Sequence, residues 1–256
     1  MSGAGCNLVV GGDDYSVGAR WGCVGSVASP AGEQGAPVAI ALETVQFTNS
    51  SPFPGALIEA CGIDDLGSPP APPCSMPITM ATTDSAGAAT LTVASGFNGY
   101  FYVTAPGQMD SLVYLSSPVV AAGTYLVQVG PYADYVQQVT SVAGSVVATD
   151  GAILVHAEDC LGQPAEGVQL ALEGAWAGIG ALAPDPFYFV GGSPQPSSTQ
   201  AQTTTEGEGG FADVLPLRGA LTATLASNGE LYASFSSALV REKTLTVVWL
   251  QPTAPP

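Results

Sequence analysis

The chain has 256 residues, enough for two domains of roughly 100–150 residues with a core in each. Hydrophobic residues make up 46% of it and charged residues only 10%, so uncharged Ser, Thr, Gln, Asn, Gly and Ala must supply most of the surface. The net charge of −17 repels phosphate, which argues against nucleic acid and anionic lipid as partners.

Segment 1–35 is Gly-rich, and we expect it to be irregular and pinned by cysteine. It begins with neither the basic nor the apolar region of a signal peptide, and no later run approaches the ~18 apolar residues of a membrane helix. Because the chain otherwise looks exported, we expect a leader to be missing from it. An alternative places Cys6, after Gly3-Ala4-Gly5, as the lipidated first residue of a mature lipoprotein.

Five cysteines and a single histidine favour disulfides over a zinc site. Cys61 and Cys74 bracket a loop rich in Gly, Pro and Asp, and a disulfide between them would contribute about 2–3 kcal/mol. Cys6 and Cys23 are the next plausible pair, which leaves Cys160 odd. The pairing stays open, because five cysteines do not define it.

Segment 36–131 predicts a β-sandwich, because seven short strands are separated by turn signals every ~8–12 residues. Between the third and fourth strands, Asp84 and Gly87 favour the first and last positions of a type I turn. The strands are expected at Val38–Phe47, Gly55–Cys61, Ile78–Thr83, Ala88–Val93, Tyr100–Thr104, Leu112–Leu115 and Thr124–Val129.

Segment 132–150 interrupts this alternation and predicts one short helix at the joint between two modules. Gly144 is a suitable residue to end it. The apolar residues at helical spacing are Tyr132, Tyr135, Val136, Val139 and Val142 or Ala143.

Segment 151–251 predicts a second sandwich, because the pattern around Asp84 returns at Thr204–Phe211. A Gly/Ala/Pro insertion at Gly174–Pro186 carries Trp176, and a Pro/Ser loop is expected at Gly191–Ser198. The tail 252–256 is too rich in proline to pair. The strands are expected at Ala152–Ala157, Val168–Leu172, Phe187–Val190, Thr199–Thr205, Leu221–Leu225, Leu231–Phe235 and Leu245–Val247.

Two motifs of the first module, Pro54–Ala60 followed by T-D-x-x-G at Thr83–Gly87 and an alternating strand, resemble the carboxypeptidase-regulatory-like, or transthyretin-like, β-sandwich. The second module offers Pro164–Leu170 and then Thr205–Gly209, with Glu206 in place of the aspartate. The resemblance extends over residues 37–130 and 151–250, and the joined arrangement is similar to tandem modules in secreted proteins and lipoproteins of soil bacteria.

This resemblance implies an all-β protein of two tandem seven-stranded, largely antiparallel sandwiches. It also implies a non-catalytic role as a spacer, folding partner or adhesive unit. The family has no fixed catalytic residues to transfer to this chain. We therefore expect an exported structural or interaction module, extracellular or at the cell surface, with no cofactor.

A hydrolase is an alternative, and it would have to use His156, the only histidine. Alternation along the strand places His156 on the same face as Leu154 and Glu158, where an exposed or half-buried position is the simpler interpretation. Cys160 lies ~13 Å further along if the chain stays extended, unless a turn shortens the distance. The chain contains no Gly-x-Ser-x-Gly motif.

Carboxylate pairs raise the possibility of calcium binding. Asp64-Asp65 and Glu206/Glu208 are the best candidates, but neither has the regular spacing of oxygen ligands in a calcium loop. We therefore assign no metal site. Lys243 is the only lysine available for an isopeptide cross-link, and we expect it in a solvent-facing turn instead.

Aromatic residues provide the candidate ligand contacts. Tyr100 and Tyr102 share one face of a predicted strand and would offer a platform to a sugar ring or a protein, with Trp176 as a further contact. A carbohydrate-binding surface protein is therefore one alternative function, with a glycan or a protein as its partner. A homo-oligomer that assembles into a filament or coat is another, since the predicted surface is Thr-rich and poor in charge.

Overall fold

The computed structural model describes residues 20–24, 36–63, 73–143, 147, 149–174 and 184–252. It is an all-β structure, as the short alternating strands predict, and one helix, α1 (Tyr132–Ala143), lies within these ranges. The strands before the helix are β1 (Val38–Gln46), β2 (Leu57–Gly62), β3 (Thr79–Thr82), β4 (Ala88–Val93), β5 (Gly99–Thr104), β6 (Asp110–Leu115) and β7 (Gly123–Val129). Those after it are β8 (Gly151–Ala157), β9 (Val168–Gly174), β10 (Pro186–Val190), β11 (Ser193–Pro196), β12 (Glu208–Val214), β13 (Arg218–Leu225), β14 (Leu231–Leu239) and β15 (Thr244–Leu250).

The two halves of the chain repeat one sandwich. In the first half, β4, β1 and β7 form a three-stranded sheet in which β1 and β7 are parallel. In the second half, β12, β8 and β15 repeat this order, with β8 and β15 parallel. The opposing strands, β2-β5-β6 in the first half and β9-β13-β14 in the second, are antiparallel.

The two sandwiches merge along one edge of each. Strand β6 of the first half pairs in parallel with β15 of the second, from Asp110 opposite Thr244 to Leu115 opposite Trp249. This pairing joins the two halves into one nine-stranded sheet with the order β11-β10-β12-β8-β15-β6-β5-β2-β3. The tandem modules therefore share a sheet in addition to the segment that connects them.

The nine-stranded sheet carries a hydrophobic core on each face. On one face, Val113 belongs to the same core as Ile40 of the first three-stranded sheet. On the other face, the ring of Tyr114 packs against that of Phe235 in β14, with centroids 5.1 Å apart. The two smaller sheets thus lie on opposite faces of the shared sheet.

Helix α1 confirms the short helix that the apolar spacing of segment 132–150 predicts. Tyr135 and Val139 are 5% and 4% exposed and join the same core as Leu154 of β8. Asp134 lies in the first turn, where the helix dipole favours negative charge. Gly144, the predicted end, lies outside the described residues. Within the described ranges, no helix has both the length and the apolar character needed to cross a bilayer.

A buried threonine organises the turn of the first repeat. The Oγ1 of Thr83 donates to the carbonyl of Phe53 at 3.0 Å and accepts from the amide of Ala56 at 2.9 Å. The carboxylate of Asp84 accepts from the amide two residues further on at 2.8 Å. Gly87 closes the turn by donating to the Asp84 carbonyl at 3.0 Å, with a φ of +76° that favours glycine.

In the second repeat a buried threonine plays the same part, but it is Thr203, two residues before the Thr205 that the sequence motif predicts. The Oγ1 of Thr203 makes the two equivalent backbone hydrogen bonds at 2.6 and 2.9 Å. Thr204 takes the place of the aspartate, because its Oγ1 accepts from the amide of Glu206 at 3.3 Å, and Gly207 closes the turn. The expectation that Glu206 replaces the aspartate is therefore wrong.

One predicted strand of the second module is also wrong. Residues 199–205 form turns and loop, and the strands β11 and β12 lie on either side of them. Pro194 and Pro196 indicated a loop, but β11 is an edge strand, where proline is tolerated. Glycine is unusual in a strand, so Gly210 made β12 hard to predict. The strand needs glycine there, because a Cβ would lie 2.1 Å from the carbonyl oxygen of Ile153.

Candidate functional site

The described cysteines form two disulfides. Cys61 and Cys74 are bonded, as the loop between them predicts. Cys23 is bonded to Cys160 and not to Cys6, so the expected Cys6–Cys23 pair is wrong. Sequence spacing favoured the nearer partner, whereas the fold brings residues 20–24 onto the second half of the chain. Cys6 lies outside the described residues.

An ion pair and a ring contact reinforce the Cys23–Cys160 disulfide. The Arg20 guanidinium donates through Nε to Asp159 Oδ2 at 2.6 Å and through a terminal nitrogen to the carbonyl of Pro164 at 2.5 Å. The Trp21 indole meets the ring of Tyr232 edge-on, with centroids 5.7 Å apart. We call this assembly of residues 20–24 on the loop 158–165 the N-terminal clasp.

Asp159 is the electrostatic centre of the N-terminal clasp. Its side chain is buried, which by itself raises the pKa of the carboxyl. The amides of Gln163 and Leu161 and the Arg20 guanidinium donate to it, and together they hold its pKa below the ordinary value. Asp159 is therefore a structural carboxylate that stays ionised, and it is unsuited to proton transfer near neutral pH.

His156 lies in a row of side chains that crosses β12, β8 and β15. Strand register places Glu208, His156 and Trp249 side by side. Glu208 Oε1 is 3.3 Å from His156 Nδ1, and the imidazole stacks on the Trp249 indole with centroids 4.5 Å apart. The ring of Tyr125 meets the indole edge-on at 5.4 Å. His156 is only 6% exposed, so an exposed or half-buried histidine is not what the structure contains.

The row has two polar atoms without partners. Nε2 of His156 and Nε1 of Trp249 are buried and make no hydrogen bond within the part of the chain that the structure describes. A carboxylate on one imidazole nitrogen orients the other, as in many acid–base sites. Burial of these two nitrogens keeps bulk water from them, and the sulfur of Cys160, four residues further along the chain, is bonded to Cys23. Among the described residues, the row orients a histidine but brings no nucleophile to it.

The predicted tyrosine platform does not form. Tyr100 is fully buried, and its hydroxyl donates to the carbonyl of Pro73 beside the Cys61–Cys74 disulfide. Tyr102 is half-buried, and its hydroxyl donates to Asp110 Oδ2 at 2.6 Å. Burial and this hydrogen bond raise the pKa of Tyr102 above its ordinary value. Tyr100 cannot form part of a platform because Pro73, Cys74 and the ring of Tyr114 pack around it on the face that alternation predicts to be open.

The candidate carboxylates have structural partners or lie outside the described residues. Glu206 accepts from the amide of Gly192 at 2.9 Å, and Glu208 faces His156. Asp64-Asp65 and Trp176 fall in the undescribed ranges. Across the described ranges, no three His, Cys, Asp or Glu side chains come together in a group that could hold a metal ion.

Sequence reasoning missed Trp249 and Arg20 as partners. The alternation of Leu245, Val247 and Trp249 places the tryptophan on one face of a predicted strand, which was the available signal. No local signal indicates that this strand lies beside the one with His156. The contact between Arg20 and Asp159 is equally non-local.

No protein-family model matches the chain, and no curated protein is similar to it. Solved structures to which the chain shows some similarity include the TIE protein of Bacillus anthracis, at 12% identity, 85% coverage of this chain, 34% of the other and a TM-score of 0.28. They also include the shaft pilin SpaA of Lactobacillus rhamnosus GG (13% identity, 86% and 100% coverage, TM-score 0.27). A 3-chlorocatechol 1,2-dioxygenase of Rhodococcus opacus matches at 12% identity, 41% and 64% coverage and a TM-score of 0.29. The chain spans about a third of the length of the TIE protein.

Proposed function

We propose that this chain is a non-catalytic, exported structural or interaction module, built from two β-sandwiches of the carboxypeptidase-regulatory-like kind. The Cys23–Cys160 disulfide carries the proposal. It supports an oxidising compartment for the chain, because structural disulfides persist outside the reducing cytosol. It also removes the thiol that a His156–Cys160 hydrolase would need.

The polar residues that mark the repeats support a structural role. Thr83 and Thr203 each satisfy two backbone groups, and Asp84 caps a turn. Tyr102 and Asp110 satisfy each other. Side chains engaged in this way hold strands together and are not free to act on a substrate.

Alkylation of the native, oxidised protein followed by mass spectrometry tests this proposal. We expect Cys23, Cys61, Cys74 and Cys160 to remain unmodified, and all four to react only after reduction and unfolding. The matched control is Cys23→Ser, which frees Cys160 and should make it reactive. Rapid native labelling of Cys160 in the wild type would reinstate the hydrolase and remove the proposed function.

A further inference from the structure

The nine-stranded sheet ends in two edge strands of different character. At one edge, β11 carries Pro194 and Pro196, which have no N–H to donate and so discourage further pairing. At the other edge, β3 contains neither proline nor charge. Among the strands of the described ranges, β3 pairs only with β2. Among the described residues, one edge is protected by proline and the other is not.

The unprotected edge exposes apolar side chains on one face. Ile78 and Met80 are 55% and 57% exposed, and Met76, two positions earlier, is 78% exposed. Alternation directs Ile78, whose amide donates to the Ala60 carbonyl of β2, and Met80 to the same face, while Met76 precedes the strand. Seven large hydrophobic side chains are exposed in the described ranges, and these three lie within five residues while the other four are scattered. A concentrated apolar strip of this kind marks an interaction surface.

The charge distribution indicates what partner suits this strip. Residues 73–83 contain no charged side chain, whereas the whole chain carries a net charge of −17. A basic partner would be attracted to the carboxylates elsewhere on the surface. Two copies of the chain repel each other through those carboxylates and can approach most closely where both lack charge. The edge of β3 therefore complements the same edge of a second copy.

We propose that the chain forms a two-fold dimer in which β3 pairs antiparallel with β3 of a second copy. The contact continues the nine-stranded sheet through both molecules and places the two Ile78–Met80 strips side by side. Because the same patch is used on both copies, the assembly closes at two. This inference rests on the proposed interaction function and names its partner.

Light scattering over a range of protein concentration tests the dimer, in a Cys6→Ser background that excludes a disulfide between chains through that residue. We expect the wild type to approach twice the 25.6 kDa mass of the chain. Ile78→Glu should shift it to a monomer, because it places a carboxylate on each side of the two-fold contact. The matched control is Leu161→Glu, at a 62% exposed loop position, which should remain dimeric.

Single cysteines at Ile78, Met80 and Thr82 provide a second measurement, since one of these positions lies nearest the two-fold axis. Oxidation should cross-link that position between chains, and Leu161→Cys should not cross-link. A wild type that stays monomeric, an Ile78→Glu variant that stays dimeric, or a Leu161→Glu variant that dissociates equally would each overturn the dimer. If the protein is a monomer and its cysteines resist alkylation in the native state, the dimer is wrong but the proposed function stands. If Cys160 is alkylated in the native state, the proposed function is wrong whether the protein is a monomer or a dimer.

Discussion

At the level of residues, one threonine hydroxyl stabilises the turn region within each repeat. Thr83 is 4% exposed and Thr203 1%, and each Oγ1 donates to one backbone carbonyl and accepts from one buried amide. Removing the Thr83 hydroxyl leaves the Ala56 amide without its acceptor, although the Phe53 carbonyl keeps the Thr44 hydroxyl as a donor at 2.6 Å. Leaving a buried amide unpaired costs more than a hydrogen bond gains on average.

We expect Thr83→Val to lower the free energy of unfolding by about 1–3 kcal/mol, because valine keeps the shape but cannot accept from the buried amide of Ala56. Thr203→Val should have a similar effect. Urea unfolding followed by circular dichroism measures both. Thr92→Val is the control: Thr92 is exposed on β4, and its change should stay within about 0.5 kcal/mol. Equal effects at Thr83 and Thr92 would contradict the role of the buried hydroxyl.

The lowered pKa of Asp159 makes the N-terminal clasp sensitive to acid. A carboxyl whose pKa is lowered by folding stabilises the fold above its unfolded-state pKa, here 3.8, and this contribution is lost as the pH falls through the folded value. Asp159→Asn should be less stable than the wild type at neutral pH by about 1–2 kcal/mol, because it loses the ionic hydrogen bond to Arg20.

Unfolding by urea at pH 7 and at steps below pH 4 measures that difference. It should shrink as the pH falls below about 3.8, since the wild-type carboxyl then also loses its charge. Asp84→Asn, in an exposed turn, is the control for a general effect of removing a carboxylate. A stability difference that stays constant down to the lowest pH would show that the charge of Asp159 is not what stabilises the N-terminal clasp.

The candidate site could be predicted only where its contacts are local. The Cys61–Cys74 bond closes a short loop, and the sequence spacing offered it as a plausible pair. The pairing of Cys23 with Cys160 spans 137 residues, and the stacking of His156 on Trp249 depends on which strands become neighbours. Alternation correctly placed His156 on the face of Leu154, but it carries no information about which strand lies alongside.

At the level of elements, strands and helices set by local sequence are predicted correctly, and those set by their position in the fold are not. The seven strands of the first half and helix α1 follow from local alternation and helical spacing. The errors fall where side chains are small or unusual for a strand: the prolines of β11 and Gly209-Gly210 of β12. In both strands the tertiary position, an edge or a tightly packed centre, outweighs local propensity.

Strand β15 is the element on which both halves of the molecule depend. It lies between β8 of its own repeat and β6 of the other, with parallel pairing on each side. Within the described ranges it is therefore the strand that joins the two repeats in one sheet.

At the level of the whole molecule, this shared sheet predicts cooperative unfolding. We expect the amides of Ile58 in β2 and Leu170 in β9 to exchange with solvent at the same free energy of opening, because neither half keeps its sheet when the other opens. Val248 is fully buried in β15, so Val248→Ala should lower both values together by about 2 kcal/mol. Native-state hydrogen exchange measures them.

Thr124→Ala, at an exposed position of the edge strand β7, is the matched control and should leave both values unchanged. Independent opening of one half, with Val248→Ala affecting only the second, would show that the two repeats are separate folding units despite their common sheet.

The N-terminal clasp also determines how tension would pass through the molecule. Cys160 lies two residues beyond Glu158, whose amide donates to the carbonyl of Leu250 at the end of β15. The Gln251 side chain donates to the Glu158 carboxylate. A pull between residue 23 and residue 252 therefore crosses the Cys23–Cys160 bond and the β8–β15 ladder. The first sandwich lies within the part of the chain that this disulfide closes into a loop, so the pull reaches it only through the β6–β15 ladder.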